Sequence, residues 1–163
     1  MNFNAREIFD IGVQIEVNGK AFYEAAAKKT AETAMKEFFT ELAAWENQHI
    51  KLFGELRDAL PTAAGNVAVF DPNDEAATYL QATADSHVFV KNKDMVALMA
   101  GCKGPLDILD IAITFEKDSV VYYTTMKKVV AKDLGQDKVD RLIDEEIKHI
   151  SLLTQRRAKL AKH

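Results

Sequence analysis

Glu46-Asn-Gln-His49 and Glu146-Ile-Lys-His149 are the two stretches on which the reading of this chain turns. Each follows another acid by thirty positions, Glu16 in the first case and Glu116 in the second. One offset of 100 therefore relates the pairs 16/116, 46/146 and 49/149. On a helix, residues three apart project from one face, so each Glu-x-x-His step offers a carboxylate and an imidazole side by side. Four carboxylates and two imidazoles at duplicated spacing are what a two-metal site inside a helical bundle needs.

The flanking pattern is helical. Phe9, Gly12, Glu16, Gly19, Phe22, Tyr23 and Ala26 follow steps of three and four, and so do Phe39, Leu42, Glu46, His49, Phe53 and Leu56. A carboxylate in the middle of an apolar stripe is costly to bury without a metal or a proton as partner. The spacing predicts a first helix from a cap at Asn4 to about Thr30, and a second over 34–59. A third starts at Gly104-Pro105 and runs through Leu106, Leu109, Ile113, Glu116, Val120 and Tyr123. Gly135 would close it in a left-handed conformation, and Asp137 would cap a fourth helix carrying Leu142, Glu146, His149 and Leu153.

The offset also aligns Asp10/Asp110, Ile11/Ile111, Tyr23/Tyr123, Leu42/Leu142, Ile50/Ile150, Leu52/Leu152 and Arg57/Arg157. The repeating unit is thus a helical hairpin. Between the copies lies an irregular stretch, 61–104, in which Asp71-Pro72 would open a short helix to about Ser86, with a further turn near 94–100. Pairing the hairpins with their glutamates inward asks helix three to start at the far end of the bundle. At 1.5 Å per residue that is a span of about 37 Å, which this connection covers. The expected architecture is all-α: a four-helix bundle of two hairpins joined by a long crossover containing a short helix, with residues 1–163 forming one domain.

Composition sets the outer limits. The chain has 163 residues, 48% hydrophobic and 28% charged, with a formal net charge of −4. No basic excess points to nucleic acid. No apolar run is long enough for a membrane span, and no secretory segment is visible at the start, so a cytoplasmic location is expected. A single cysteine, Cys102, rules out an internal disulfide and a cysteine-ligated cluster. His87 reads as an ordinary, partly buried histidine, and Glu145 as a solvent-facing neighbour of Glu146. Carboxylate and imidazole ligands suit Fe, Mn or Zn.

Through Glu16-x-x-Gly-x-x-Phe22-Tyr23, Glu46-x-x-His49, Glu116-x-x-Ser-x-x-Tyr122-Tyr123 and Glu146-x-x-His149, the chain resembles the rubrerythrin-like branch of the ferritin-like superfamily. The resemblance implies a ferritin-like bundle in which Glu16, Glu46, His49, Glu116, Glu146 and His149 ligate two iron ions, with Mn or Zn as other occupants. Glu46 and Glu116 are candidates to bridge the two ions, and the sequence leaves open which glutamates do so. Tyr23 and Tyr123 would hydrogen-bond ligating carboxylates and take part in catalysis. The activity implied is reduction of hydrogen peroxide or dioxygen, the alternative being iron or divalent-metal buffering without efficient turnover. Full-length members carry a C-terminal rubredoxin domain and an extra carboxylate three residues after the helix-three Glu. This chain reaches His163 without that domain and has Ser119 at that position, so electrons would come from a separate rubredoxin-type protein. The family also implies a homodimer.

Overall fold

The structure, a computed structural model, describes residues 5–60, 75, 78, 79, 82, 95–129 and 135–162. Among them are four long helices, α1 (Ala5–Lys29), α2 (Thr33–Asp58), α4 (Pro105–Val129) and α5 (Gln136–Leu160), and one short helix, α3 (Met95–Gly101). Three residues join α1 to α2, which fixes these helices as antiparallel neighbours. Helices α4 and α5 form the second hairpin. The helix expected from Asp71 to Ser86 and the residue His87 lie outside the described residues, although 75, 78, 79 and 82 are helical. The cap expected at Asn4 also lies outside them.

The amphipathic stripe of α1 buries Ile8, Phe9, Gly12, Ile15, Glu16, Gly19, Phe22, Tyr23 and Ala26. Thr30 ends the helix, its backbone N–H and its hydroxyl both donating to the Ala26 carbonyl. In α4 the buried line is Ile108, Leu109, Ala112, Phe115, Glu116, Ser119, Tyr122, Tyr123 and Met126. This differs from the expected stripe, which ran through Leu106, Ile113 and Val120; these three are only half-buried. The reason is the repeat itself, since every residue of this line is a buried position of α1 plus 100; only Thr125, buried where Ala25 is half-buried, departs from it.

One ion pair ties each hairpin together, at equivalent places. Arg57 Nη1 donates to Asp10 Oδ1 at 3.0 Å, and Arg157 Nη2 donates to Asp110 Oδ2 at 3.1 Å. Both are solvent-exposed, so water and salt screen them and they add little to stability. Their value is as a register mark, because they explain why these four residues recur at the offset.

The crossover has the required reach. The second hairpin begins beside the far end of α1, where the Lys29 ammonium donates to the carbonyls of Met99 (2.5 Å) and Cys102 (2.8 Å) at the end of α3. Helix α2, by contrast, ends near the start of α5, with Leu56 packed on Gly135. Gly135 is left-handed as expected, with φ 95°, but it stands at the N-cap of α5. That position displaces Asp137, which sits in the first turn, where its charge still suits the helix dipole. No helix among the described residues is long and apolar enough to cross a membrane.

Candidate metal centre

All four glutamates of the pattern, Glu16, Glu46, Glu116 and Glu146, point into the bundle and are at most 1% exposed. His49 and His149 are 2% and 4% exposed. Each helix delivers its acid from the centre of an apolar stripe, so burial of the stripe carries the carboxylates inward together. The structure brings all six expected residues into two overlapping groups: Glu16, Glu46, His49 and Glu146, and Glu46, Glu116, Glu146 and His149. Within each group, one ligand atom per residue lies within 4.8 Å of the others.

The distances show the near-twofold layout. His49 Nδ1 lies 3.0 Å from Glu146 Oε1, 3.5 Å from Glu16 Oε2 and 3.8 Å from Glu46 Oε2. His149 Nδ1 lies 2.9 Å from Glu146 Oε2, 3.5 Å from Glu116 Oε1 and 3.9 Å from Glu46 Oε1. The residues common to both groups are Glu46 and Glu146, the acids of the two Glu-x-x-His steps. Glu16 belongs to the His49 group alone and Glu116 to the His149 group alone.

Burial on this scale needs compensation. Glu16 Oε2, both oxygens of Glu46, His49 Nδ1, Glu116 Oε2 and Glu146 Oε1 are buried without a hydrogen-bond partner among the described residues. An unsatisfied buried polar group costs about 1–3 kcal/mol, and more if charged. Six such atoms facing one another make a stable arrangement only with cations or protons between them. Hard oxygen and imidazole donors in this number fit two divalent ions.

Without metal, protons take that place. Burial, then the neighbouring Glu16, pushes the Glu46 carboxyl well up. Burial and the charge of Glu146 do the same to Glu116. Burial draws both imidazoles down, but the close carboxylates overcome it. Glu146, Glu16 and Glu46 raise His49 far above its usual range, and Glu116 and Glu146 raise His149 to about 10. Burial also acts to raise Glu146, yet His149 and His49 hold it below the usual carboxylate range.

A pH dependence follows from these signs. The raised His149 contributes stability that is complete below its ordinary value of 6.5 and is lost as pH climbs through about 10. Raised Glu46 and Glu116 act in the same sense. Divalent ions compete with these protons, so their binding strengthens over the same window. The metal-loaded and metal-free proteins are therefore expected to differ more in Tm at pH 9 than at pH 6.5. Melting curves with and without added Mn(II) measure this, and a gap that narrows with pH would contradict it.

Tyr23 and Tyr123 lie where the pattern put them, but crosswise. The Tyr23 hydroxyl donates to Glu116 Oε1 at 2.5 Å, and the Tyr123 hydroxyl donates to Glu16 Oε1. Burial first, then these carboxylates, raise both phenols, so both keep their protons. Tyr23→Phe is expected to cost about 1–3 kcal/mol by leaving Glu116 Oε1 without its donor. Chemical denaturation of the metal-free protein reads this, and an unchanged midpoint would show that the bond contributes nothing.

Two neighbours of the centre were missed from the sequence. Trp45 stacks on the His149 ring, with centroids 4.9 Å apart and planes at 7°. Glu145 occupies the matching place in the second hairpin. It was expected to face solvent only, and its side chain is 52% exposed, but its Oε2 accepts from His49 Nε2 at 3.0 Å. Adjacent helical residues are about 100° apart, so the position before each inward Glu turns toward the facing helix. That offset gives the direction of each side chain but not how near the facing helix lies. Such a contact fixes the ring so that its other nitrogen faces the centre.

No protein-family profile matches the chain, and no curated protein matches it. Among solved structures, it is similar to a Thermotoga maritima protein described as a ferritin-like diiron-carboxylate protein. The match covers 97% of each chain with a TM-score of 0.74, at 22% sequence identity. A likeness at that identity is one of fold, and the chain has the ferritin-like fold.

Proposed function

We propose that this chain is a non-haem di-iron protein of rubrerythrin-like type that reduces hydrogen peroxide, or dioxygen, with electrons from an external donor. The observation that carries the reading is the pair of overlapping ligand groups sharing Glu46 and Glu146, with six buried atoms that have no hydrogen-bond partner among the described residues. The diiron-carboxylate description of the Thermotoga maritima protein supports iron as the occupant. In this reading Glu16, Glu46 and Glu146 hold one ion with His49, and Glu46, Glu116 and Glu146 hold the other with His149. Four carboxylates balance two divalent charges. Two irons bound there supply the two electrons that reductive cleavage of an O–O bond requires.

The protein's own part is positioning, proton control and exclusion of water. Tyr23 and Tyr123 orient Glu116 and Glu16 and hold protons on their hydroxyl oxygens next to the centre. Phe22, Phe115 and Tyr122, all fully buried, keep bulk water from its α1–α4 side. A rubredoxin-type protein is the proposed donor and a homodimer the proposed assembly, both by likeness to the rubrerythrin-like branch.

The near-complete burial of all six ligands favours a second reading, in which the site buffers iron with slow turnover. One series separates the two. The metal-free protein is loaded anaerobically with Fe(II), mixed with peroxide or oxygen, and followed by near-ultraviolet absorption of oxidised iron. Fast oxidation by peroxide with repeated turnover under a reductant supports the enzyme. Oxidation without re-reduction supports buffering, and failure to bind two irons per chain defeats both.

A further inference from the structure

Six ligands this deeply buried pose a question of access, because a cation has to pass through the packing to reach them. The α1–α4 side is closed. Phe22, Tyr23, Phe115, Tyr122 and Tyr123 are all at 0% exposure. Gly19 lies so close to Phe115 that a Cβ placed there would meet ring Cε1 at 2.8 Å.

The α2–α5 side is different. A cavity of about 230 Å³ lies there, lined by Trp45, Gln48, Glu145, Lys148, His149 and Leu152. One wall is a candidate ligand, His149, braced by the Trp45 ring. Another is Glu145, whose half-exposed carboxylate holds His49 through Nε2. One imidazole of the centre, His149, therefore lines this solvent-facing opening, and the other, His49, is held by a residue that lines it; each is secured by the residue that precedes the inward Glu of the opposite helix. The two hairpins differ at that position: one supplies an indole and the other a charge.

The geometry points to this cavity as the inlet for divalent cations, with Glu145 as the first carboxylate an arriving cation meets. The inference rests on the two-cation reading of the centre. A carboxylate at the mouth of a cleft concentrates cations and speeds their capture. A cation on Glu145 Oε2 also competes for the atom that holds His49 Nε2. Its arrival thus frees the ring to turn aside, opening the way to Glu146 and Glu16 behind it. Lys148 lines the same cavity and opposes the approach, which sets the sign expected for its replacement.

Stopped-flow loading of the metal-free protein with Co(II), followed by visible absorption, tests this. Glu145→Gln keeps the side chain's size and its ability to accept from His49 while removing the charge. It is expected to slow loading about tenfold, with a weaker dependence on ionic strength, and still to end at two cations per chain. Lys148→Glu is expected to speed loading, and Gln48→Trp, which fills the cavity, to slow it. Lys28→Glu, in the groove between α1 and α2, is expected to leave the rate unchanged. Wild-type rates in Glu145→Gln, Lys148→Glu and Gln48→Trp would overturn the inlet while leaving the two-cation centre intact. A wild-type chain that never takes up two cations would instead overturn the centre, and the inlet with it.

Discussion

Glu146→Ala is expected to leave the protein unable to retain either cation, whereas Glu16→Ala keeps one. The difference comes from sharing. Glu146 belongs to both ligand groups, with one oxygen near His49 Nδ1 and the other near His149 Nδ1. Removing it takes a carboxylate from each group and leaves the closest approach of both imidazoles empty. Glu16 belongs only to the His49 group, so the Glu46, Glu116, Glu146 and His149 group survives its loss. Glu46→Ala is expected to behave like Glu146→Ala, and Glu116→Ala like Glu16→Ala. Glu145→Ala, one position away, is expected to retain two cations at equilibrium. Metal analysis after desalting, alongside circular dichroism to confirm helicity, reads all five variants. Equal losses from Glu16→Ala and Glu146→Ala would overturn this division of the acids into shared and unshared.

Gly19→Ala is expected to destabilise the protein even though alanine is the better helix former. In a helix interior the exchange is worth up to about 1 kcal/mol in favour of alanine. Against that, the new methyl would meet Phe115 Cε1 at 2.8 Å, press closer still on Cζ, and lie 3.3 Å from Glu46 Oε2. Phe115 cannot give way easily. It is fully buried and packs edge-on against Tyr23, with ring centroids 6.1 Å apart. Overpacking of this kind costs about 1–3 kcal/mol, so the clash outweighs the propensity gain. Because Tyr23 holds Glu116 and the methyl abuts Glu46, metal retention is expected to fall as well. Gly54→Ala is the matched control, since nothing lies within 4 Å of a Cβ at that position. It is expected to raise the midpoint of urea unfolding, and Gly19→Ala to lower it. A stabilising Gly19→Ala would mean that the α1–α4 contact is looser than these distances state.

The repeat made the fold legible. Glu16, Glu46, Glu116 and Glu146 could be read as inward-facing because each sat alone among apolar residues at helical spacing. Asp10, Arg57, Asp110 and Arg157 recurred at the offset because each pair closes its own hairpin. The stripe of α4 was misread where the offset was not applied. Carrying Ile8, Ile15 and Phe22 forward by 100 gives Ile108, Phe115 and Tyr122, whereas reading α4 alone favoured Leu106, Ile113 and Val120. Gly135 was recognised as left-handed, but an αL glycine between two helices serves the end of one or the start of the next equally well, and only packing against Leu56 distinguishes them. The contacts of Trp45 and Glu145 were illegible for another reason. They depend on how closely α2 approaches α5, and no spacing within a single helix encodes that distance.

The crossed tyrosines have a consequence for how the chain comes together. The ties within each hairpin join residues 47 positions apart, while Tyr23 reaches Glu116 across 93 positions and Tyr123 reaches Glu16 across 107. Longer loops cost more entropy to close, so each hairpin can settle before the two engage. The first acid of each half accepts its phenol hydrogen bond from the other half. Metal capture thereby becomes a completion signal, available only to a chain whose halves have docked in register.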